Sequence, residues 1–237
     1  MALDTTNLTK FLKGITDAIR AKTGSTYKIY HSRIDEEINN MKTVNDYSDN
    51  IVKMLDNCDR IVDFSNMFSI PELTDETLNK ISAVLDTSNG VQFMHMFESC
   101  GLLTTIPPLD TSNGLQFANM FNGCRNLHTI KGQLSFKKLT DPIGYWMVFG
   151  SCTQLTNVRF VENSIPAYEP LRPISSYNVF DIHYSPYLTN ESADSIIKGL
   201  CLNNTGYTLI LRLHSDVIDK LTNEQVLEIT NKKWELG

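Results

Sequence analysis

Residues 85–106 and 109–130 carry one pattern written twice. LDTSNGVQFMHMFESCGLLTTI aligns with LDTSNGLQFANMFNGCRNLHTI at a shift of 24 residues. The shift pairs Leu85 with Leu109, Asp86 with Asp110, Phe93 with Phe117 and Phe97 with Phe121. It also pairs Cys100 with Cys124, Leu103 with Leu127, and Ile106 with Ile130. A fixed period between about 20 and 50 residues marks stacked supersecondary units, none of which buries its apolar face alone. This constraint outranks local propensity. Chains of this kind present surfaces for binding more often than pockets for chemistry.

The repeat core reads aromatic-x-x-Cys-x-x-Leu-x-x-Ile. Its strong copies are Phe97-Cys100-Leu103-Ile106 and Phe121-Cys124-Leu127-Ile130. A third follows at Phe149-Cys152-Leu155-Val158, where the spacing between cysteines grows to 28 residues. A looser one precedes at Leu55-Cys58-Ile61-Phe64, its cysteine 42 residues before Cys100. At least about three units are needed to bury a continuous core, and this chain has them. Each coil must turn one aromatic, one small side chain and two aliphatics inward, with parallel strands about 4.8 Å apart. Cysteine behaves as a small apolar residue and fits the tight turn into the strand. The expected fold is therefore α/β, a short solenoid with parallel strands.

The spacing places strands near Leu103–Pro107, Leu127–Lys131 and Leu155–Phe160. With Ile106, Ile130 and Val158 inward, the two-residue period turns their neighbours outward. Thr105 and Pro107, Thr129 and Lys131, and Asn157 and Arg159 would then share one open face, extended by Asp63 and Ser65. The LDTSNG segments are turn signals. The QFxxMF stretch that follows each has a more helical spacing.

Known chemistries lack their residues. Five cysteines is an odd number and no CxxC occurs, so zinc-ribbon and thioredoxin-like sites are not expected. Cys58, Cys100, Cys124 and Cys152 share one repeat position and read as buried thiols, not as a disulfide framework. His31, His95, His128, His183 and His214 are scattered and make no HExxH. GxSxG, GxGxxG and GxxxxGK[ST] are absent. No catalytic residue, cofactor or metal ligand is assigned, and the chain is not expected to be an enzyme. Asp86 and Asp110 recur in register. They suit turn organisation better than calcium, which needs more oxygens at alternating positions. Met96, Met120, Phe97 and Phe121 read as core.

The net charge is −6 with no Lys/Arg-rich run, which argues against a nucleic-acid partner. No stretch reaches about 18 uninterrupted apolar residues, so membrane insertion is not expected. The start, MALDTTNLTKFLKGITDAIRAKTG, lacks the features of a secretory signal, and ordinary export is not expected.

Residues 6–24 have an amphipathic helical stripe formed by Leu8, Phe11, Leu12, Ile15, Ala18 and Ile19, and Gly24 stops it. Ser32 can cap a second short helix through Met41. Residues 166–188 read as a connecting loop or hairpin. A helix from about Thr189 to Cys201, a strand at Thr208–Leu213 and a last helix follow, with Thr222-x-x-Gln225 as a capping box. The last coil leaves an open strand edge and an apolar face, and this segment is suited to cover both. The organisation is thus 1–44 as a helical anchor, 45–165 as the solenoid, and 166–237 as connecting loop and α/β cap.

The run M-F-x-x-C-x-x-L-x-x-I with LDTSN between copies resembles the BspA-type leucine-rich repeats. These occur in bacterial surface antigens and in predicted tail proteins of phages of Gram-positive bacteria. The resemblance covers roughly 54–160 and departs at Leu55, which stands for Phe, and at the insertion within 136–148. The segment FLKGITDAIRAKTGS is similar to a leader on phage tail and fibre proteins. The pattern LTNESADSIIKGLC to LTNEQVLEITNKKWEL is similar to the C-terminal cap of phage-encoded repeat proteins. The resemblance implies a virion protein of a tail fibre or baseplate, made in the host cytoplasm. It would present its repeats to a host cell-surface protein or glycan and be anchored to other virion proteins through the N-terminal helices. Several copies as a homo-oligomer would add avidity. A structural virion component, as decoration or tail-tip spacer, and a bacterial protein-interaction repeat protein are the alternatives.

The candidate ligand-binding residues are Thr105, Thr129, Lys131, Asn157 and Arg159. Gathered on one strand face, they suit a polar or anionic ligand, although they would equally form the solvated side of a sheet. Tyr145, Trp146, Tyr168, Tyr177, Tyr184 and Tyr187 fall in the irregular parts, where they could serve recognition or pack the insertion against the cap.

Overall fold

A computed structural model describes residues 63–83, 85–139, 142–168 and 179–237. The expected N-terminal helices, and Leu55, Cys58 and Ile61 of the loose first copy, lie outside the described residues. The fold is α/β with short parallel sheets. Its elements in order are α1 (Asp75–Ser82), β1 (Thr105–Ile106), β2 (Thr129–Ile130), a 3-10 turn (Pro142–Tyr145) and β3 (Val179–Asp181). Then follow α2 (Asn190–Gly199), β4 (Ile210–Arg212), α3 (Ser215–Ile218), α4 (Asn223–Asn231) and β5 (Glu235–Leu236).

The repeated residues meet across successive coils. Phe68, Phe97, Phe121 and Phe149 form one ring column, with centroids 5.4, 5.8 and 5.8 Å apart and planes within 20° of parallel. Phe64, Phe93 and Phe117 form a second, at 5.4 and 5.3 Å. Cys100, Cys124 and Cys152 are fully buried, as are Leu103, Leu127 and Leu155. Each thiol reaches back one coil: Cys100 to the Phe68 carbonyl at 2.8 Å, Cys124 to Phe97 at 3.0 Å, and Cys152 to Phe121 at 3.1 Å. Like residues therefore stack on like.

The first copy has a different register from the expected one. Phe64 stacks on Phe93, not beneath Ile106, and Asp63 bridges Gln92, so the coil is Phe64-Met67-Phe68 and lies 29 residues before its next equivalent. Asp63 and Ser65 consequently leave the strand face. The reason is local: the helix α1 takes the place of a strand in this coil. Thr74 caps it through the Thr77 N–H, and Leu78 and Ile81 are buried beneath it.

Strands are shorter than expected. β1 and β2 each have two residues, paired in parallel as Thr105 with Thr129 and Ile106 with Ile130. Asn157 continues the ladder as a single bridge to Thr129. Pro107 is buried instead of facing outward, which a residue with no N–H to donate permits at the strand end. The QFxxMF stretches are turns, not helices. Asn66, His95, Asn119 and Met147 occupy one position in successive coils with φ of 59, 57, 57 and 54°, a left-handed conformation that ends any helix. Asn66, His95 and Asn119 each donate to the next coil, as when the His95 N–H donates to the Ala118 carbonyl at 3.0 Å.

The insertion and the loop also carry repeat positions. Tyr145 is buried where Phe117 sits one coil earlier, its coil receiving the Phe117 N–H at the Gly144 carbonyl, 2.6 Å. Ile182, Ser185 and Leu188 are buried in the pattern of Phe149, Cys152 and Leu155. The Ser185 N–H bonds to Ile182, as that of Cys152 does to Phe149, both at 3.2 Å. Residues 182–188 thus follow the pattern of a further coil; 169–178 lie outside the described residues. The coil leads into α2, capped by Thr189, and then into the second sheet, β3–β4–β5, which is all parallel. The Thr222–Gln225 capping box forms at α4.

Candidate functional site

Beyond Thr129 and Asn157 the chain places Lys131 and Arg159, each two residues past the bridged pair. Lys131, Asn157 and Arg159 are exposed, and Thr129 is half-buried. Gly132, with φ of +78°, turns the chain away after Lys131, which leaves that lysine at a corner. The last strand position is then covered by α2. The Ser192 hydroxyl accepts from the Val158 N–H at 3.1 Å and donates to the Thr156 carbonyl at 2.9 Å, which pins the start of α2 beside Asn157.

These elements enclose a depression of about 300 Å³ lined by Thr129, Lys131, Gly132, Asn157, Arg159 and Glu191, with Ile130 and Ser192 at its floor. Four of the five candidate ligand-binding residues meet here. Thr105 does not: it is half-buried on β1, one strand further from α2. Gly132, Glu191 and Ser192 carried no signal in the sequence that tied them to this face. Thr189-x-x-Ser192 reads as a helix start, and only the fold brings that start against β2.

Neither Lys131 nor Arg159 has an ion-pair partner among the described residues. Asn157 donates through Nδ2 to Thr156 Oγ1 at 2.9 Å and more weakly to Thr129 Oγ1 at 3.4 Å, which leaves its Oδ1 as an acceptor with no partner among the described residues. The depression thus combines two cations, one carboxylate and neutral acceptors. That set is chemically suited to a polar ligand. It contains no activated nucleophile.

Other candidate groups are built into structure. Asp86 and Asp110 each accept the N–H of Ser88 or Ser112 at 2.9 Å, closing a turn through the side chain. Burial pushes the Cys124 thiol up to about 12 and those of Cys100 and Cys152 well above the ordinary range, so they are protonated packing groups at neutral pH. His95 pairs with Glu98 at 2.8 Å, and Glu98 also receives the Asn122 amide at 3.1 Å. His183 and Arg212 both engage Asp181 at the end of the second sheet. Trp146, Tyr184 and Tyr187 are exposed, whereas Tyr145 is buried 6.4 Å from the Tyr168 ring. Tyr177 lies outside the described residues.

Among the described residues no helix is long and apolar enough to cross a membrane. No protein-family model, no curated protein and no solved structure matches the chain.

Proposed function

We propose that the coils from Phe64 onward form a short leucine-rich-repeat solenoid of the BspA type. In this reading the chain is a phage virion protein, of a tail fibre or baseplate, that attaches to the host surface through the open strand face. The repeat spacing and the ring and thiol columns support the solenoid. One observation carries the attachment reading: Thr129, Lys131, Asn157 and Arg159, outward residues of neighbouring coils, converge with the start of α2 on a single depression. A solvated sheet face has no need of two cations without partners in a concavity. The N-terminal segment is assigned to docking on other virion proteins, and repeated copies on a particle would convert weak contacts into firm adhesion.

The test is adhesion of the full chain, fluorescently labelled, to Gram-positive host cells. The wild type should coat cells saturably, and Lys131→Ala/Arg159→Ala should lose most of that signal while melting at the same temperature. Undiminished adhesion of the double variant would remove this face from the role. Absence of any adhesion, together with failed particle assembly when the chain is deleted, would make it a structural virion component.

A further inference from the structure

We infer that the depression between β2 and α2 takes an anionic, hydroxyl-rich sugar unit, its acidic group on Lys131 and Arg159 and its hydroxyls against Glu191 and Asn157. The inference rests on the attachment reading and names the class of ligand for that same site.

The charges set the argument. Lys131 and Arg159 come from adjacent parallel coils and line one depression; they are not in register, since the bridge after Thr129–Asn157 pairs Leu134 with Phe160. Two like charges that share one depression repel each other. Among the described residues no carboxylate lies within ion-pairing distance of either, Glu191 on the rim included. One anionic group between the two cations removes that repulsion, and the planar guanidinium fork of Arg159 matches the two oxygens of a carboxylate or a phosphodiester.

Glu191 limits what else the ligand carries. It is an exposed carboxylate on the rim, an acceptor that repels a second negative charge and welcomes hydroxyl donors. Asn157 keeps an Oδ1 with no partner among the described residues, which can accept from the same kind of donor. A site with one anionic pole and a rim of acceptors fits a ring bearing one acid and several hydroxyls. It does not fit a densely charged polyanion or an apolar peptide. The volume, about 300 Å³, is at the small end for a ligand site and suits a single sugar unit.

Titration calorimetry of the full chain with three probes tests this: a glucuronic-acid disaccharide, a glycerol-phosphate diester and an uncharged glucose disaccharide. Both acidic probes should bind at least about tenfold more tightly than the neutral one, and the tighter of the two identifies carboxylate or phosphate as the natural anion. Lys131→Ala/Arg159→Ala should cost at least about tenfold, and affinity should fall as salt is raised. Glu191→Gln should weaken the hydroxyl-bearing probes while easing the binding of inorganic phosphate. Equal binding of charged and neutral probes overturns the inference. So does the absence of acidic-probe binding by a chain that still coats host cells through Lys131 and Arg159, an outcome that leaves attachment standing. Tight binding of an acidic probe by a chain that coats no cells supports the ligand class and overturns attachment alone.

Discussion

The inner boundary of the short sheet and its two outer edges satisfy backbone donors by different means. Inside, the N–H groups of His128 and Thr129 both reach the Thr104 carbonyl, at 2.8 and 3.1 Å. One coil on, those of Thr156 and Asn157 both reach the His128 carbonyl, at 3.0 and 2.9 Å. At the first edge the corresponding pair, on Thr104 and Thr105, reaches Oδ1 of Asp75, at 2.9 and 3.2 Å. A carboxylate on α1 stands where the carbonyl of a preceding strand would be. At the far edge the hydroxyls of Ser192 and Ser195 accept from the Val158 and Phe160 N–H groups, at 3.1 and 2.9 Å. The interior grows by copying itself, and it ends where a side chain answers the backbone without offering a new strand to pair with. Open edges recruit other chains, so this termination keeps the stack finite.

The comparison breaks first if the interior is not held by its columns. Phe121 lies 5.8 Å from the rings of both Phe97 and Phe149 and is fully buried. Phe121→Ala should cost about 3–5 kcal/mol, the transfer of a large ring plus the cavity it leaves. Urea unfolding measures it, and a loss below about 1 kcal/mol would mean the coils are held by something other than the ring column.

The edges come next in size. Asp75→Ala orphans two N–H groups and should cost about 2–3 kcal/mol, given about 1–3 for each unsatisfied buried donor and partial access of water. Hydrogen exchange localises the effect: the amides of Thr104 and Thr105 should exchange faster while those of His128 and Thr129 stay protected. Loss of protection across both coils would show that the edge and the interior are one cooperative unit. Ser192→Ala removes a single acceptor and should cost about 1–2 kcal/mol, with faster exchange at Val158.

The interior was legible in the sequence because it repeats: Phe97 and Phe121, Cys100 and Cys124, and Leu103 and Leu127 announce their own contacts. Thr129, Lys131, Asn157 and Arg159, four of the five candidate ligand-binding residues, followed from the two-residue period once Ile130 and Val158 were set inward. The edges were not legible, since Asp75, Ser192 and Ser195 act at a distance through helices and belong to no repeat. The misplaced first copy has the same origin. Matching on cysteine favoured Cys58, while the coil that stacks carries Phe64 and Phe68 and has Pro71 where the thiol would fall. Glycine misled in another way. Gly90 and Gly114 read as turn residues, but a Cβ on Gly114 would lie 2.1 Å from the Phe117 ring, so they are there to make room for the aromatic column. Insertions hide register too: Tyr145 holds a repeat position that only coil-to-coil hydrogen bonds reveal.

The smallest expected effect concerns the small-residue position, where an interior coil carries a thiol and the last coil a hydroxyl. Cys124 is a thiol buried among its equivalents, and Ser185, in the last coil, offers a hydroxyl to the Cys152 carbonyl at 3.1 Å. Desolvation raises the Cys124 thiol from 9.0 to about 12. Below the lower value both folded and unfolded chains keep the proton. Between the two, only the unfolded chain releases it, so stability falls as pH rises through that window. Moving from about pH 8 to about pH 10 should therefore cost the wild type about 1 kcal/mol more than Cys124→Ala, by linkage at this one group. Ser185→Ala should run parallel to the wild type across the same range, because a hydroxyl does not ionise there. Parallel curves for the wild type and Cys124→Ala would place the thiol in contact with water and take the small-residue column out of the core.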